Sequence, residues 1–234
     1  MAITPQIPFD FFLPEAPRFE NFVVGDNSEA LARLHKIAAG KADPLDRAVV
    51  LWGGPAVGKS HLLAAIAADA ALHDVSALQL DAATQFPADP FVSARLLCVD
   101  DADQLSAEQQ AWLFTAFNQV TQAGGVVVAS GQTPSARWPL RDDVRTRMGS
   151  GLAFELLPIP QEGLPAALSA YATGRGFDIS DEALTFLLNH SQRDIVSLCQ
   201  TLAGVDRLSL AKKRPVTTHL LRSYLNETAR TQKA

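Results

Sequence analysis

The chain has 234 residues, of which 47% are hydrophobic and 19% are charged, and its formal net charge is −5. This length accommodates one large domain or two small ones, and the acidic balance argues against a protein that holds DNA by its overall charge. Because the two cysteines are far apart and neither a secretory leader nor a membrane-length apolar run is present, we expect no disulfide framework, no zinc motif and a cytoplasmic location.

The N-terminal 18 residues predict an extended arm, since four prolines in this stretch oppose a helix. A helix is expected next, and either Asn27 or Ser28 is its predicted N-cap. Its apolar positions share one face: Leu31, Leu34 and Ile37.

A phosphate-binding loop is predicted at residues 53–60. Their sequence, Gly-Gly-Pro-Ala-Val-Gly-Lys-Ser, matches the pattern G-x-x-x-x-G-K-[S/T] at every required position. A strand-like apolar run precedes the loop at 48–52, and a helical pattern follows it at 61–72. Successive backbone N–H groups of such a loop point at one anion, which the helix N-terminus also attracts. We therefore expect Lys59 to reach the β- and γ-phosphates of a nucleotide and the Ser60 hydroxyl to ligate Mg²⁺.

Two carboxylates follow the third predicted strand. Strands are expected at 75–80 and 95–99, and Asp100 and Asp101 come directly after the latter. Asp100 is the candidate for holding Mg²⁺ through water, and Asp101 stands where many ATPases have a glutamate that orients the attacking water. Aspartate is one methylene shorter, which reduces its reach. The alternative is that both residues simply end a strand.

Polar residues also follow the fourth predicted strand. Residues 106–109 have the form of a capping box and predict a helix to about residue 121. A buried strand is expected at 126–129. Ser130 and Gln132, which come after it, are either sensors of the γ-phosphate or ordinary turn residues.

A charged helix is predicted at 140–147, directly before a fifth strand at 152–157. An arginine in such a helix can neutralise transition-state charge on the nucleotide of a neighbouring subunit. A lone arginine is more often part of a solvated helix face.

The alternation of strands and helices predicts an α/β fold with a parallel sheet covered on both faces. From about residue 160 onward only helices are expected, at 162–175, 181–189, 193–212 and 217–227. The predicted organisation is an arm at 1–18, an α/β nucleotide-binding domain with a five-stranded parallel sheet at 19–158, and a small helical domain at 159–234.

These motifs together resemble those of an AAA+ P-loop NTPase with a helical lid domain. Residues 19–27, Phe-Glu-Asn-Phe-Val-Val-Gly-Asp-Asn, are similar to the segment that precedes the phosphate loop in the bacterial replication initiator DnaA. In that family the segment packs around the adenine, which implies nucleotide contacts from Phe22 and Val23. The resemblance implies further nucleotide contacts from Gly54, Pro55, Ala56, Val57, Gly58, Lys59, Ser60 and His61.

The sequence ends after the lid, where the initiator continues into a helix-turn-helix DNA-binding domain. This organisation resembles the family of DnaA regulatory inactivators, Hda. Residues 6–11, Gln-Ile-Pro-Phe-Asp-Phe, are similar to the sliding-clamp-binding motif of that family. The resemblance implies a polar anchor at Gln6 and apolar anchors at Ile7, Phe9 and Phe11. The alternative is a tail whose apolar residues pack on its own domain.

The resemblance also implies a function. With the DNA-loaded sliding clamp, the protein would stimulate hydrolysis of the ATP bound to the initiator and so regulate replication initiation negatively. Arg147 matches the arginine-finger position and would act on the initiator's nucleotide. ADP or ATP with Mg²⁺ is the implied cofactor. The implied partners are the clamp and the initiator, with a homo-oligomer as an option and DNA reached only through the clamp.

Two positions depart from the AAA+ pattern. Val196 stands where a second sensor arginine is usual, with Arg193 one helical turn earlier, and Asp101 replaces the catalytic glutamate. Both departures imply weak intrinsic ATP hydrolysis, with the nucleotide acting as a structural and regulatory ligand. The alternative functions are a free-standing AAA+ ATPase such as a helicase loader and an interaction module with a vestigial phosphate loop.

Overall fold

Five parallel strands form the centre of the first structural unit, Pro17–Pro158, in the order β2-β3-β4-β1-β5. The structure, a computed structural model, describes residues 16–91, 93–191 and 194–231. All neighbouring strands pair in parallel, which confirms the predicted five-stranded sheet. The strands are Ala48–Trp52 (β1), Ala77–Asp81 (β2), Leu96–Asp100 (β3), Val126–Gly131 (β4) and Leu152–Glu155 (β5).

Helices cover both faces of this sheet. They are Ser28–Ala38 (α1), Lys59–Leu72 (α2), Ala107–Gln122 (α3) and Asp142–Met148 (α4). Side chains of β1 alternate between the two layers: Ala48 and Val50 pack with residues of α3 and α4, whereas Val49 and Leu51 pack with residues of α1 and α2. Because each full burial of a valine or leucine side chain contributes about 1.5–3 kcal/mol, this central strand stabilises the fold from both sides.

The start of α1 differs from the prediction. Asn27 occupies the N-cap position, but its side chain makes no cap hydrogen bond. Instead, its Oδ1 accepts the N–H of Leu157 at 2.8 Å and its Nδ2 donates to the C=O of Leu157 at 3.0 Å. Both backbone polar groups of Leu157 are thus bonded to a side chain, and β5 ends at Glu155 instead of at residue 157.

The predicted capping box at the start of α3 is confirmed. The N–H of Gln109 donates to Ser106 Oγ at 3.2 Å, and the N–H of Ser106 donates to Gln109 Oε1 at 2.8 Å. Gln109 Nε2 also donates to the carbonyl groups of Ala82 and Thr84, which ties α3 to the loop after β2. This contact helps to fix the segment between β3 and α3, which carries the acidic residues.

The second unit includes the segment from Ile159 onward, and the regular structure described in that segment consists of α-helices and one short 3₁₀ helix. The helices are Leu164–Gly174 (α5), Asp181–His190 (α6), Ile195–Lys212 (α7) and Thr218–Thr231 (α8). Two of them approach closely at Gly204, where a Cβ atom would lie 2.0 Å from Tyr224 Oη. Within the described ranges, no helix of either unit has both the length and the apolar character needed to cross a membrane.

Candidate functional site

The predicted phosphate loop connects β1 to α2, at the edge of the sheet where the parallel strands end. Gly58 is the N-cap of α2 with φ of +95°, a backbone conformation that favours glycine. A Cβ atom at Gly58 would also lie 2.6 Å from Phe22 Cε2, so glycine lets the aromatic ring contact the loop backbone. The loop therefore has the shape that its sequence pattern predicts.

Lys59 lies over the loop that precedes it. Its side chain is mostly buried, and its Nζ donates to the carbonyl oxygens of Gly53 at 2.8 Å and Gly54 at 2.6 Å. Burial lowers the pKa of Lys59, and the carboxylates of Asp101 and Asp100 oppose this effect. An ammonium group held inside the curl of the loop is positioned to receive an anion there.

Three further residues predicted to contact nucleotide lie beside the loop in sequence or in space. The Phe22 ring packs against Gly58, and the centroids of the Phe22 and His61 rings are 5.7 Å apart. His61 Nε2 lies 2.8 Å from the carbonyl oxygen of Arg18, which links the first turn of α2 to the segment before Phe22. Val23 follows Phe22 and is half-buried.

Asp100 is the last residue of β3 and Asp101 follows it, close to the end of β4. Asp100 is buried, and its Oδ1 accepts the N–H of Asp101 at 3.1 Å and the hydroxyl hydrogen of Ser130. The N–H of Asp101 also donates to Ser130 Oγ at 2.9 Å. Through these two hydrogen bonds Ser130 contacts both acidic residues. The backbone of Asp101 is left-handed, with φ of +46°, and a short 3₁₀ turn follows.

The pKa of Asp101 is raised. Burial is the main cause, and the negative charges of Asp100, Asp103 and Asp81 add to it, whereas Lys59 acts in the opposite direction. A carboxylate with a raised pKa is the stronger base, so the shift itself does not weaken the capacity of Asp101 to accept a proton from water.

The two predicted sensor residues of β4 occupy different environments. Ser130 is fully buried behind Asp100, whereas Gln132 is exposed just after the strand. The backbone N–H of Gln132 donates to Asp103 Oδ2 at 2.8 Å, and so the ends of β3 and β4 are joined. The sequence reasoning missed Asp103; the only signal was a third acidic residue in the run Asp-Asp-Ala-Asp.

The residues at this edge fit a magnesium ion. Among the described residues, none donates a hydrogen bond to the second carboxylate oxygen of Asp100, Oδ2. The Ser60 hydroxyl is exposed in the first turn of α2. Carboxylate and hydroxyl oxygens are the hard ligands that Mg²⁺ prefers, together with water and nucleotide phosphates.

Arg147 is held by α3. Its Cζ lies 3.8 Å from the centroid of the Phe114 ring, and its Nε donates to Asn118 Oδ1 at 3.0 Å. Its Nη1 donates to the carbonyl oxygen of Asp143, one turn earlier in α4, at 3.1 Å. Three contacts therefore fix the guanidinium in one orientation.

Arg147 and the phosphate loop lie at opposite edges of the sheet. The loop follows the last residue of β1, whereas Arg147 precedes the first residue of β5. Gly151, between Arg147 and β5, is so close to Ala48 at the start of β1 that a Cβ atom would lie 1.9 Å from the Ala48 carbonyl oxygen. The chain that follows Arg147 thus enters β5 beside the first residue of β1, about 17 Å along that strand from the phosphate loop at about 3.3 Å per residue.

Five predicted site residues fall outside the described ranges. They are Gln6, Ile7, Phe9 and Phe11 of the arm, and the candidate sensor Arg193. Val196 is described, half-buried in the first turn of α7. Valine stands at this position where a second sensor arginine is usual, and this difference does not depend on where Arg193 lies.

Two family models match the sequence. The model described as the bacterial DnaA ATPase domain matches residues 13–155, which is more than half of the chain. The model described as the lid domain of Hda matches residues 162–225. The boundary between the two matches falls where the sheet unit gives way to the helical unit.

Solved structures with the same fold include two initiator proteins. The similarity to domain III of the Thermotoga maritima replication initiation protein DnaA has a TM-score of 0.68 at 20% identity, and it covers 96% of this chain and 98% of that one. AMPPCP-bound DnaA from Aquifex aeolicus gives a TM-score of 0.66 at 16% identity, over 86% of this chain and 71% of that one. The RuvB Holliday junction branch migration motor of Thermotoga maritima gives 0.56 at 18% identity, over 92% and 72%. These similarities confirm the AAA+ fold.

Proposed function

The chain belongs to the family of the bacterial DnaA ATPase domain and carries an Hda-type lid, and on this premise we propose that it regulates replication initiation. Together with the DNA-loaded sliding clamp, it stimulates hydrolysis of the ATP bound to the initiator DnaA. The observation that carries this proposal is the position of Arg147, a fixed cation at the sheet edge opposite the phosphate loop of its own chain.

A nucleotide bound to the chain itself is part of the proposal. The loop amides and Lys59 bind the phosphates of ADP or ATP, and Phe22 and His61 lie on the side of the loop where the base is expected. Ser60 and Asp100 would hold Mg²⁺, which supplies charge neutralisation to the phosphates. The shape of the loop and the AMPPCP bound by DnaA from Aquifex aeolicus support this part of the proposal.

Arg147 serves the nucleotide of the partner, because the loop of its own chain is at the other edge of the sheet. A guanidinium brought to the γ-phosphate neutralises the charge that develops as the bond to the leaving group breaks. Phe114 and Asn118 orient the group before the partner arrives, so little conformational entropy is lost on docking. A side chain that is already held in one orientation is well suited to act on a nucleotide bound to another chain.

The N-terminal arm provides the second contact. Gln6, Ile7, Phe9 and Phe11 lie in a proline-containing segment, and an extended peptide of this kind can place alternate apolar side chains in a pocket of the clamp. The clamp on DNA would then bring this chain close to initiator molecules bound to the same DNA. No direct DNA contact by this chain is needed.

The proposal is tested in a reconstituted assay. The initiator is loaded with ATP, the clamp is loaded on DNA, and ATP hydrolysis is followed with and without this protein. We expect hydrolysis to accelerate only when the clamp, DNA and this protein are all present. Equal hydrolysis with and without the protein would contradict the proposal, and rapid hydrolysis by the protein alone would favour a free-standing ATPase.

A further inference from the structure

Ser130 has an unusual place in the sheet. It lies in β4, whose residues are all buried and otherwise without polar side chains, and its own side chain is fully buried. β3 and β4 pair with Val99 opposite Ala129, so the next position along each strand brings Asp100 beside Ser130. A hydroxyl is thus placed next to the carboxylate predicted to hold Mg²⁺.

The hydrogen-bonding capacity of Ser130 is directed to the two acidic residues. Its hydroxyl hydrogen goes to Asp100 Oδ1, and its oxygen accepts the N–H of Asp101 at 2.9 Å. A serine hydroxyl has one hydrogen to donate. Because that hydrogen is engaged by Asp100, it is not available to donate to a γ-phosphate, which leaves Gln132 as the exposed candidate for that role.

The hydrogen bond from Ser130 helps to hold the Asp100 carboxylate in one orientation. Its Oδ1 accepts two hydrogen bonds, from Ser130 and from the N–H of Asp101, while Oδ2 accepts none from the described residues. Rotation of the carboxylate would break both bonds, so Oδ2 is the oxygen available to a metal-bound water. Groups that hydrogen-bond a metal-binding carboxylate in this way tune its orientation and its affinity for the ion.

We propose that Ser130 is a positioning residue that orients Asp100 toward the magnesium ion of the bound nucleotide, and that it is not a sensor of the γ-phosphate. This inference rests on the nucleotide-binding part of the proposed function. It concerns the chain's own site and is independent of the clamp and the initiator.

The test separates nucleotide affinity with Mg²⁺ from affinity without it. The full chain is titrated with the non-hydrolysable analogue AMPPCP, once with excess MgCl₂ and once with EDTA, and the ratio of the two affinities is measured. Replacing Ser130 by alanine should reduce this ratio by about 10-fold, the lower end of the effects seen for groups that hold metal ligands. Ser130→Thr, which keeps the hydroxyl, should retain most of the wild-type ratio.

Two further variants make the result specific. Ser135→Ala removes another buried hydroxyl outside this pair and should leave the ratio unchanged. Ser130→Cys preserves volume with a weaker donor and replaces the alanine variant if that variant does not fold. The proposal is overturned if the ratio of folded Ser130→Ala or Ser130→Cys equals the wild-type ratio, or if affinity falls equally with and without Mg²⁺. Because neither clamp nor initiator is present, such a result leaves the regulatory function standing, and failure of stimulation leaves the result on Ser130 standing.

Discussion

The guanidinium of Arg147 lies over the ring of Phe114, with Cζ 3.8 Å from the ring centroid. An aromatic face attracts a cation and leaves the outer face of a stacked guanidinium accessible. Phe114 and Asn118 are one turn apart in α3, so they hold Arg147 as a pair.

Replacing Arg147 by alanine should abolish the stimulation of initiator ATP hydrolysis, with a loss of about 10³-fold or more, because removal of an arginine finger has an effect of this size. The measurement is the reconstituted assay with clamp on DNA. Arg145→Ala is the matched control, since Arg145 lies on the same helix and pairs with the exposed Asp142. Full stimulation by Arg147→Ala would show that another residue serves as the finger.

Phe114→Leu should weaken stimulation by roughly 2- to 30-fold, which corresponds to the loss of a cation–π contact worth about 0.5–2 kcal/mol. Phe114→Tyr keeps an aromatic face and should behave like wild type. The affinity for AMPPCP should be the same in all three proteins, because Phe114 packs in the layer of α3 and α4, on the face of the sheet opposite α2. If leucine and tyrosine variants stimulate equally, the ring does not orient Arg147.

The double substitution Gln6→Ala and Phe11→Ala should abolish clamp binding while the affinity for nucleotide remains at the wild-type level. Clamp binding is measured with the isolated clamp, and nucleotide binding with AMPPCP. The double substitution removes the polar anchor of the predicted motif and the last of its three apolar anchors. Clamp binding that survives the double substitution would mean that the contact lies elsewhere on the chain.

Gly58→Ala should lower the thermal stability of the nucleotide-free protein. The residue has φ of +95°, and the added Cβ would lie 2.6 Å from Phe22 Cε2. Gly54→Ala is the matched control, because no atom lies within 4 Å of a Cβ at that position. We expect the thermal midpoint to fall for the first variant and to stay close to wild type for the second; equal midpoints would show that the loop accommodates Phe22 differently.

Asp101→Asn should stabilise the nucleotide-free protein at neutral pH. The pKa of Asp101 is raised above its ordinary value of 3.8, so the folded chain binds the proton more tightly than the unfolded chain does. Stability is therefore lost as pH rises from about 4 through the folded-state pKa, and asparagine removes this loss. Urea unfolding over that pH range should show a smaller decline for Asp101→Asn than for wild type or for the exposed control Asp26→Asn.

The sequence was most informative where structure depends on neighbours along the chain. The phosphate loop, its flanking strand and helix, and the capping box at Ser106 are local patterns, and each has the predicted structure. The sheet followed from the alternation of apolar strands with helices, since a strand buried on both faces is apolar throughout. The ends of the elements differ from the prediction by a few residues, as for β5, which ends at Glu155 instead of at residue 157.

Contacts between distant residues were not predictable in this way. Asn27 bonds Leu157, 130 residues away, and a pattern at the N-terminus of a helix carries no information about such a partner. Ser130 was predicted to be either a sensor of the γ-phosphate or a turn residue, but it lies within β4, where the pairing with β3 puts its hydroxyl beside Asp100. The stacking of Arg147 on Phe114 likewise depends on how α4 packs on α3.

The placement of Lys59 and Arg147 on opposite edges of one sheet gives the molecule a direction. A contact in which the arginine edge of one chain meets the nucleotide edge of another is head-to-tail. Such a contact is heterologous, so it does not form a symmetric dimer in which each molecule uses the same surface. Each copy has one arginine edge, so one copy can act on one nucleotide of a partner. The nucleotide edge of that copy is then not used in the contact. Under the proposed function, the number of initiator molecules acted on at one time would therefore be limited by the number of copies that the clamp retains.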